Sequence, residues 1–133
     1  MRVLALDIGE KRTGVAISDA GGLLASPLTT IYRRSLTGDF DAVKDLVIEH
    51  DVGRLVVGVP FSLSGRAGPQ ARRTEEYARA LSQSTHIPVT MVDERYSTLE
   101  AERKLREAGV RPSRERGRVD AAAAAIILQS YLD

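Results

Sequence analysis

Residues 1–16 read MRVLALDIGEKRTGVA, and the rest of the chain can be interpreted from this stretch outward. Its apolar run from Val3 to Leu6 is bounded by turn-forming residues and predicts a buried β-strand. Asp7 follows that run directly. Because an unpaired charge is costly to bury, an acid here starts a turn, is solvated at the rim of a sheet, or is held for a partner such as a metal ion. The role of Asp7 therefore depends on which other charged residues the rest of the chain brings close to it.

The composition restricts the kinds of chemistry open to the chain. Its 133 residues are 43% hydrophobic and 28% charged, so we expect residues 1–133 to form one globular domain. The net charge of +1 means that a polyanionic partner would need a local basic patch. With no cysteine, and with His50 and His86 far apart, any metal site would use oxygen ligands, which favours Mg²⁺ or Mn²⁺.

No segment resembles a membrane span or a signal peptide. The longest apolar runs fall short of the roughly 18 residues that a membrane span needs, and the N-terminus leads directly into a strand. We therefore expect a cytoplasmic protein that makes no use of a membrane.

The order of predicted elements indicates an α/β fold. Three strands come first, over 3–7, 15–19 and 23–31, and Pro27 suggests an edge position or a bulge for the third. A helix beginning at Gly38–Asp39 and ending before Gly53, a buried strand over 54–59, and a helix from Pro69 to about 84 follow. A strand over 88–92, a helix over 97–109, a basic loop over 111–117 and a final helix over 119–132 complete the chain. In that helix, the apolar stripe is expected at Val119, Ala122, Ala123, Ile126 and Ile127.

An antiparallel meander followed by alternating helices and strands predicts a mixed five-stranded sheet. The later strands follow helices and are apolar throughout, so they should run parallel to the first and be covered on both faces. This is the arrangement of the ribonuclease-H-like fold. Ligands of such sheets bind beyond the carboxyl ends of the strands, where Asp7 and the pair Asp93–Glu94 are expected.

Acidic residues from three distant segments are predicted to meet at that rim. Asp7 ends the first strand, Asp93 and Glu94 end the last, and Asp120 opens the final helix. Each has a simpler interpretation, since Asp120 suits a helix dipole and Asp93 or Glu94 suits a pair with Arg95. Together, however, like charges repel unless a divalent cation compensates them. A carboxylate cluster that holds such ions can hydrolyse phosphodiesters.

Several segments, in order along nearly the whole chain, resemble the YqgF/RuvX family. They are Asp7-Ile-Gly-Glu-Lys-Arg-Thr-Gly-Val-Ala16, Val57-Gly-Val-Pro60, Gly65-Arg-Ala-Gly-Pro-Gln70, Asp93-Glu-Arg95 and Val119-Asp-Ala121. Together these motifs are specific, although DxGxxxxG alone would be weak. The resemblance implies a ribonuclease-H-like fold related to the junction resolvase RuvC. The family has been described as a Holliday junction resolvase and, later, as a nuclease that matures the 5′ end of pre-16S rRNA.

The resemblance also implies a ligand set: Asp7, Glu94 and Asp120 as catalytic, metal-binding carboxylates, with Asp93 the alternative to Glu94. RuvC takes its glutamate from the fourth strand, where this chain has Val57-Gly58-Val59 and no acid. Side chains alternate along a strand, so Asp93 and Glu94 face opposite sides, and the sequence leaves open which one faces Asp7.

Basic residues near the predicted rim are candidates for contacts with nucleic acid. Residues 102–118 hold seven basic against three acidic side chains, and the simplest interpretation of such a run is a solvated helix face. Its loop portion should lie beside the metal site and is the better candidate for phosphate contacts. The predicted nucleic-acid-binding residues are Lys11, Arg12, Arg66, Arg72, Arg95, Arg114, Arg116 and Arg118.

The sequence thus predicts a Mg²⁺- or Mn²⁺-dependent nuclease that acts on RNA, in 5′-end maturation of pre-16S rRNA, with a pre-ribosomal particle as a partner. One alternative is a junction resolvase that cleaves branched DNA as a homodimer. A second is a nucleic-acid-binding assembly factor without catalysis, and a third is an actin-like or sugar-kinase-like ATPase, which would need two such domains. Oligomeric state and cleavage polarity are left open.

Overall fold

The computed structural model describes residues 1–60, 68–93 and 116–133, together with Arg103 and Glu107; side chains of residues 116–118 lie outside the description. The elements are β1 (Arg2–Ile8), β2 (Arg12–Ser18), β3 (Ala25–Tyr32), α1 (Leu36–His50), β4 (Val52–Val59), α2 (Pro69–Thr85), β5 (Val89–Asp93) and α3 (Arg116–Leu132). The five strands form one sheet in the order β3-β2-β1-β4-β5. Strands β1, β2 and β3 pair antiparallel, whereas β4 and β5 run parallel to β1. The predicted mixed five-stranded α/β sheet is confirmed.

Strand alternation divides the core between the two faces of the sheet. On one, Leu4 and Leu6 of β1 pack with residues of α1 and α2 such as Val43 and Leu81, and we call it the α1–α2 face. On the other, the α3 face, a second buried cluster joins strand and helix residues: Ala5, Ala16, Val56, Ala124, Ile127 and Leu128. Since β1 and β4 are central and covered on both sides, their near-continuous apolar sequence is explained.

One edge of the sheet gathers the ends of several elements. Parallel β1, β4 and β5 all end there, at Ile8, Val59 and Asp93. The tight turn between β1 and β2 lies at the same edge and is closed by the amide of Gly9, which donates to the carbonyl of Arg12 at 2.9 Å. We call this the carboxyl edge. It is the edge at which ligands of α/β sheets usually bind.

Strand β3 is the outer strand of the meander, as Pro27 predicts. Its register against β2 shifts between Val15 and Ala16, opposite Pro27, so the strand carries an irregularity there as well. An outer strand with a register shift tolerates a residue that has no amide proton to donate. The strand begins at Ala25 rather than Leu23, because Asp19 binds the amides of Leu23 and Leu24 in a turn.

Helix α1 begins and ends earlier than its apolar spacing predicts. It starts at Leu36, because the hydroxyl of Ser35 accepts a hydrogen bond from the amide of Gly38 at 3.0 Å and caps the first turn. It ends at His50, and the next residue, Asp51, caps it with a left-handed φ of 53°, so no glycine is needed. Gly53 lies inside β4 and does not end the helix. Helix α2 starts at Pro69 as predicted.

The final helix α3 differs from the prediction in its start and its rotation. It begins at Arg116, so residues 116–118 belong to its first turn and not to a loop, and Asp120 lies in the second turn. Ala121, Ala124 and Leu128 are buried, whereas Ala122 and Ile126 are only partly so. The run from 121 to 128 contains no polar residue, so its sequence carries no pattern from which the rotation could be predicted.

The helix predicted over 97–109 falls almost wholly outside the described residues. Within it, Arg103 and Glu107 are helical and exposed, which suits a solvated helix face. No helix in the described parts of the chain is long and apolar enough to cross a membrane.

Candidate active site

Asp7 lies on the α3 face, at the carboxyl edge. Ala5, two residues earlier on β1, belongs to the buried cluster of that face, and alternation places Asp7 on the same side. Its directly opposite partner on β2 is Gly14. Asp7 is partly buried, so its carboxylate lies at the boundary between the core and the solvent.

The backbone of α3 approaches the sheet at Gly14. A Cβ atom placed on Gly14 would overlap the carbonyl group of Asp120 and lie 2.9 Å from the amide nitrogen of Ala121. Only glycine allows the helix to come this close. Because Asp7 and Gly14 are a cross-strand pair, the Cβ of Asp7 lies about 5 Å from the position that a Gly14 Cβ would occupy. Asp7 and Asp120 are therefore neighbours on one face.

Arg12 compensates the charge of Asp120. Its Nε donates to Oδ2 of Asp120 at 2.7 Å, and both side chains are about one-quarter exposed. This hydrogen bond and the attraction of the carboxylate raise the pKa of Arg12, while partial desolvation opposes the shift. A guanidinium between β2 and α3 thus offsets the repulsion between two acids that the fold brings together.

An open groove of about 540 Å³ runs along this pair. It is lined by the β1–β2 turn and α3: Gly9, Glu10, Lys11, Arg12 and Asp120. The predicted nucleic-acid contacts Lys11 and Arg12 therefore line the groove together with Asp120. The charges of the lining balance, with Lys11 and Arg12 against Glu10 and Asp120, and Arg12 is paired with Asp120, so Lys11 is the cation of the groove that a phosphate can use directly.

Side chains alternate between the two faces of the sheet along β5, and this fixes the direction of Asp93. Val92 packs against the α3-face cluster and Val89 against the other cluster, so Asp93 points to the α1–α2 face. Asp93 is paired in register with Val59 and is exposed. The structure thus separates the alternative ligand Asp93 from Asp7 and Asp120 by the thickness of the sheet. Glu94 lies outside the described residues.

The remaining predicted basic contacts are distributed differently. Arg72 is exposed on α2, on the opposite face of the sheet from Asp120. Arg116 and Arg118 lie in the first turn of α3, four and two residues before Asp120, with side chains outside the description. Arg66, Arg95 and Arg114 lie outside the described residues.

The donor chemistry of Asp7 and Asp120 suits a hard divalent cation. Carboxylate oxygens are the ligands that Mg²⁺ and Mn²⁺ prefer. Among the described residues, no three histidine, cysteine, aspartate or glutamate side chains lie close enough to form a metal site. Of the predicted ligands, the described part of the chain brings together Asp7 and Asp120 alone.

A charged and aromatic cluster at the same edge was not predicted from the sequence. Arg33, just after β3, donates through Nη1 to the carbonyl of Gly9 at 2.6 Å and through Nε to Asp39 at 3.1 Å. Its guanidinium lies 5.2 Å from the ring centroid of Tyr77, and that ring meets Phe40 edge-on at 5.2 Å. The cluster ties β3, α1 and α2 to the turn that follows Asp7.

One signal for this cluster was present in the sequence. Asp39 lies four residues before Val43, on the apolar stripe of α1, and its side chain is 5% exposed. A carboxylate on a buried stripe needs a cationic partner, and this indicates an arginine nearby. No pattern identifies Arg33 as that partner, because the contact depends on how β3 leads into α1.

The fold and the site together define a class of protein: a ribonuclease-H-like domain with an acidic site at the carboxyl edge. A solved structure, Thermus thermophilus RuvC in complex with a Holliday junction substrate, superposes with a TM-score of 0.60 at 15% identity, covering 99% of this chain and 94% of that one. At this identity, the likeness supports the shared fold.

Sequence comparison gives the family. The model of the RuvX family, described as Holliday junction resolvase, matches residues 1–133, so the chain belongs to this family. A relative from Syntrophus aciditrophicus is 47% identical over 133 residues, covering 100% of this chain and 89% of the relative. One from Acaryochloris marina is 41% identical over 130 residues, covering 98% and 90%. Both carry the name "Putative pre-16S rRNA nuclease".

Proposed function

We propose that this protein is a divalent-metal-dependent nuclease that hydrolyses phosphodiester bonds in RNA. The observation that carries the proposal is the convergence of Asp7 and Asp120 at the carboxyl edge, where Asp120 also lines an open groove. The names of the two relatives support a precursor of 16S rRNA as the substrate. Such a substrate would place the protein in the cytoplasm, in contact with pre-ribosomal particles.

In this proposal Asp7, Asp120 and Glu94 hold Mg²⁺ or Mn²⁺. Strand parity supports Glu94 over Asp93, because Val92 faces α3 and the second residue after it would face α3 as well if the strand continued. Gly58, paired with Val92, lies between β1 and β5 on that face and contributes no carboxylate. The neighbouring strand cannot supply the third ligand, so an acid from beyond β5 is needed.

Each group of the site then has a separate task. A bound divalent ion would activate a water molecule and stabilise the leaving oxygen of the phosphodiester. Lys11 and Arg12 would bind phosphates of the strand in the groove, and such contacts position the nucleic acid without reading its sequence. Arg12 also holds Asp120 in place through the 2.7 Å hydrogen bond. Arg116 and Arg118, in the first turn of α3, would add further phosphate contacts.

Isosteric replacement of the carboxylates tests the site. We expect Asp7→Asn and Asp120→Asn each to lower metal-dependent cleavage of RNA more than about 100-fold, because loss of a direct ligand should exceed the effect of outer contacts. Glu94→Gln should do the same, whereas Asp93→Asn should retain activity. Asp41→Asn, an exposed acid on α1, is the matched control.

Metal binding provides a second measurement that does not require turnover. Mn²⁺ at 100 times its dissociation constant should stabilise the folded protein by about 2.7 kcal/mol, seen as a rise in the melting temperature. Asp7→Asn should abolish the rise and Asp41→Asn should leave it intact. Cleavage or Mn²⁺ stabilisation that survives in Asp7→Asn would contradict the assignment.

A second candidate function follows from the description of the family. A junction resolvase that cleaves branched DNA as a homodimer would use the same carboxylates. Purified protein should be offered single-stranded RNA and a four-way DNA junction side by side, with Mg²⁺ or Mn²⁺. Preferential cleavage of the junction would favour this candidate, and metal-independent binding without cleavage of either would favour an assembly factor.

A further inference from the structure

A second pocket opens at the carboxyl edge on the opposite side of the sheet from Asp120. It encloses about 190 Å³ between the β1–β2 turn and α2. Ile8 and the ring of Tyr77 give it an apolar wall, while Gln70 and Arg73 of α2 give it a polar one. We call it the α2 pocket. None of the proposed metal ligands lines this pocket.

The inner part of the α2 pocket is held rigid by its charged neighbours. Arg33 lines the pocket with a guanidinium already bound to Asp39 and to the carbonyl of Gly9. Burial, and the nearby negative charge of Asp39, raise the pKa of Tyr77 to about 12, against the opposing effect of Arg33. The Tyr77 hydroxyl is therefore protonated at neutral pH and can donate a hydrogen bond.

Arg73 supplies the second positive charge of the pocket. It is exposed and forms no ion pair with any residue that the structure describes. Arg33, in contrast, is neutralised by Asp39. Glu10 is the opposing charge at the rim, and it too is exposed. The pocket thus combines an apolar wall with a guanidinium, that of Arg73, which has no ion-pair partner in the described part of the chain.

The size of the α2 pocket argues for a segment of a polymer. Small-molecule sites commonly enclose about 300–1,000 Å³, so a pocket of about 190 Å³ is too small to bury a free nucleotide or a metabolite of that size. It can accept part of a longer molecule that continues outside. Gly9 and Glu10 line both this pocket and the groove beside Asp120, so a single strand could pass from one to the other over the turn.

We propose that the α2 pocket binds the base of one unpaired nucleotide, in an RNA strand that continues over the β1–β2 turn into the groove beside Asp120. Arg73 contacts the phosphate of the nucleotide in the pocket, and Ile8 with the ring of Tyr77 contacts its base. Aromatic and apolar contacts of this kind reach only bases that are not in a duplex. The inference rests on the proposed nuclease function, and it adds a preference for unpaired substrate next to the cleaved bond.

Equilibrium binding without metal tests the pocket separately from catalysis. Fluorescence anisotropy of a labelled single-stranded RNA, with EDTA present, should show about tenfold weaker binding for Arg73→Gln than for the wild type. The slope of log affinity against log salt should also become shallower by about 0.7, because the variant neutralises one phosphate fewer. Glu10→Gln should bind more tightly, since it removes the opposing charge.

Arg79→Gln is the matched control. Arg79 lies on the same helix, is exposed, pairs with Glu75 at 3.5 Å and is not part of the pocket lining. Its replacement should change neither the affinity nor the salt slope. An effect of Arg79→Gln as large as that of Arg73→Gln would reduce the result to general electrostatics and would overturn the pocket assignment.

Two further ligands test the unpaired base. A duplex RNA of the same sequence should be insensitive to Arg73→Gln, and a single strand of abasic nucleotides should bind more weakly than the intact strand. Equal weakening for single strand and duplex, or equal binding of abasic and intact strands, would overturn the proposal. If Arg73-dependent binding persists while Asp7→Asn cleaves as well as the wild type, the assignment of the metal site fails and that of the pocket stands.

Discussion

Gly14→Ala should disturb the candidate site, because the added methyl group meets the backbone of α3. The new Cβ would overlap the carbonyl carbon and oxygen of Asp120 and approach the nitrogen of Ala121 to 2.9 Å. All three are backbone atoms of α3. No flexible side chain can move away, so either the helix shifts or β2 bends.

The cost can be estimated from what α3 packs against. Overpacking a tight site commonly costs about 1–3 kcal/mol, and a rigid backbone neighbour places this case at the upper end or beyond it. Ile127 and Leu128 of α3, which are almost fully buried, resist a shift because they fill the core against Ala5 and Val56. We expect a loss of about 3 kcal/mol, or about 10 °C in melting temperature for a chain of this length.

Urea denaturation and thermal melting measure this loss, with Gly21→Ala as the matched control. A Cβ on Gly21 meets nothing within 4 Å, and Gly21 does not have a positive φ, so that variant should match or slightly exceed the wild type. Mn²⁺ stabilisation should weaken in Gly14→Ala, because Asp120 moves with α3. A Gly14→Ala protein with wild-type stability and wild-type Mn²⁺ response would refute the close approach of α3 to Asp7.

Two further predictions concern stability. Ser35→Ala removes the hydroxyl that caps α1 through the amide of Gly38 and should cost about 1 kcal/mol in urea denaturation; no change would show that the cap is replaced by water. Tyr77, with a pKa raised to about 12 from the ordinary value near 10, contributes stability that is complete below pH 10 and is lost as the pH rises through 12. Unfolding free energies measured over that range should fall more steeply for the wild type than for Tyr77→Phe, and parallel profiles would contradict the assignment.

The fold could be predicted because its signals are local. The buried run before Asp7, the glycines between strands, and Pro69 at the start of α2 each specify nearby structure, and together they leave one sheet topology. Errors arose where the local signal is weak. The hydroxyl of Ser35 caps the start of α1, and the left-handed backbone of Asp51 caps its end. The apolar spacing shows neither feature.

The site could be predicted only in part, because some of its contacts join residues that are far apart in the chain. The pairing of Asp7 with Gly14 was missed although the two residues are close in the chain, because the second strand was predicted from Val15 and β2 begins at Arg12. The contact of Gly14 with Asp120 spans more than a hundred residues, as does the hydrogen bond from Arg12. Neither is implied by composition or spacing; the family motifs pointed to Asp120 but not to its neutralisation by Arg12.

For the choice between Asp93 and Glu94, the structure adds the one fact that the sequence lacks, namely which face of the sheet each residue of β5 points to. Alternation makes the two residues face opposite sides, but it does not say which residue faces which side. Val89 packs against the cluster of the α1–α2 face and Val92 against that of the α3 face, so the face of every residue of β5 is known. Asp93 cannot join Asp7 without crossing a sheet whose central residues are buried on both sides. A ligand set completed from the end of β5 must therefore come from the residue that follows Asp93, or from further along the chain.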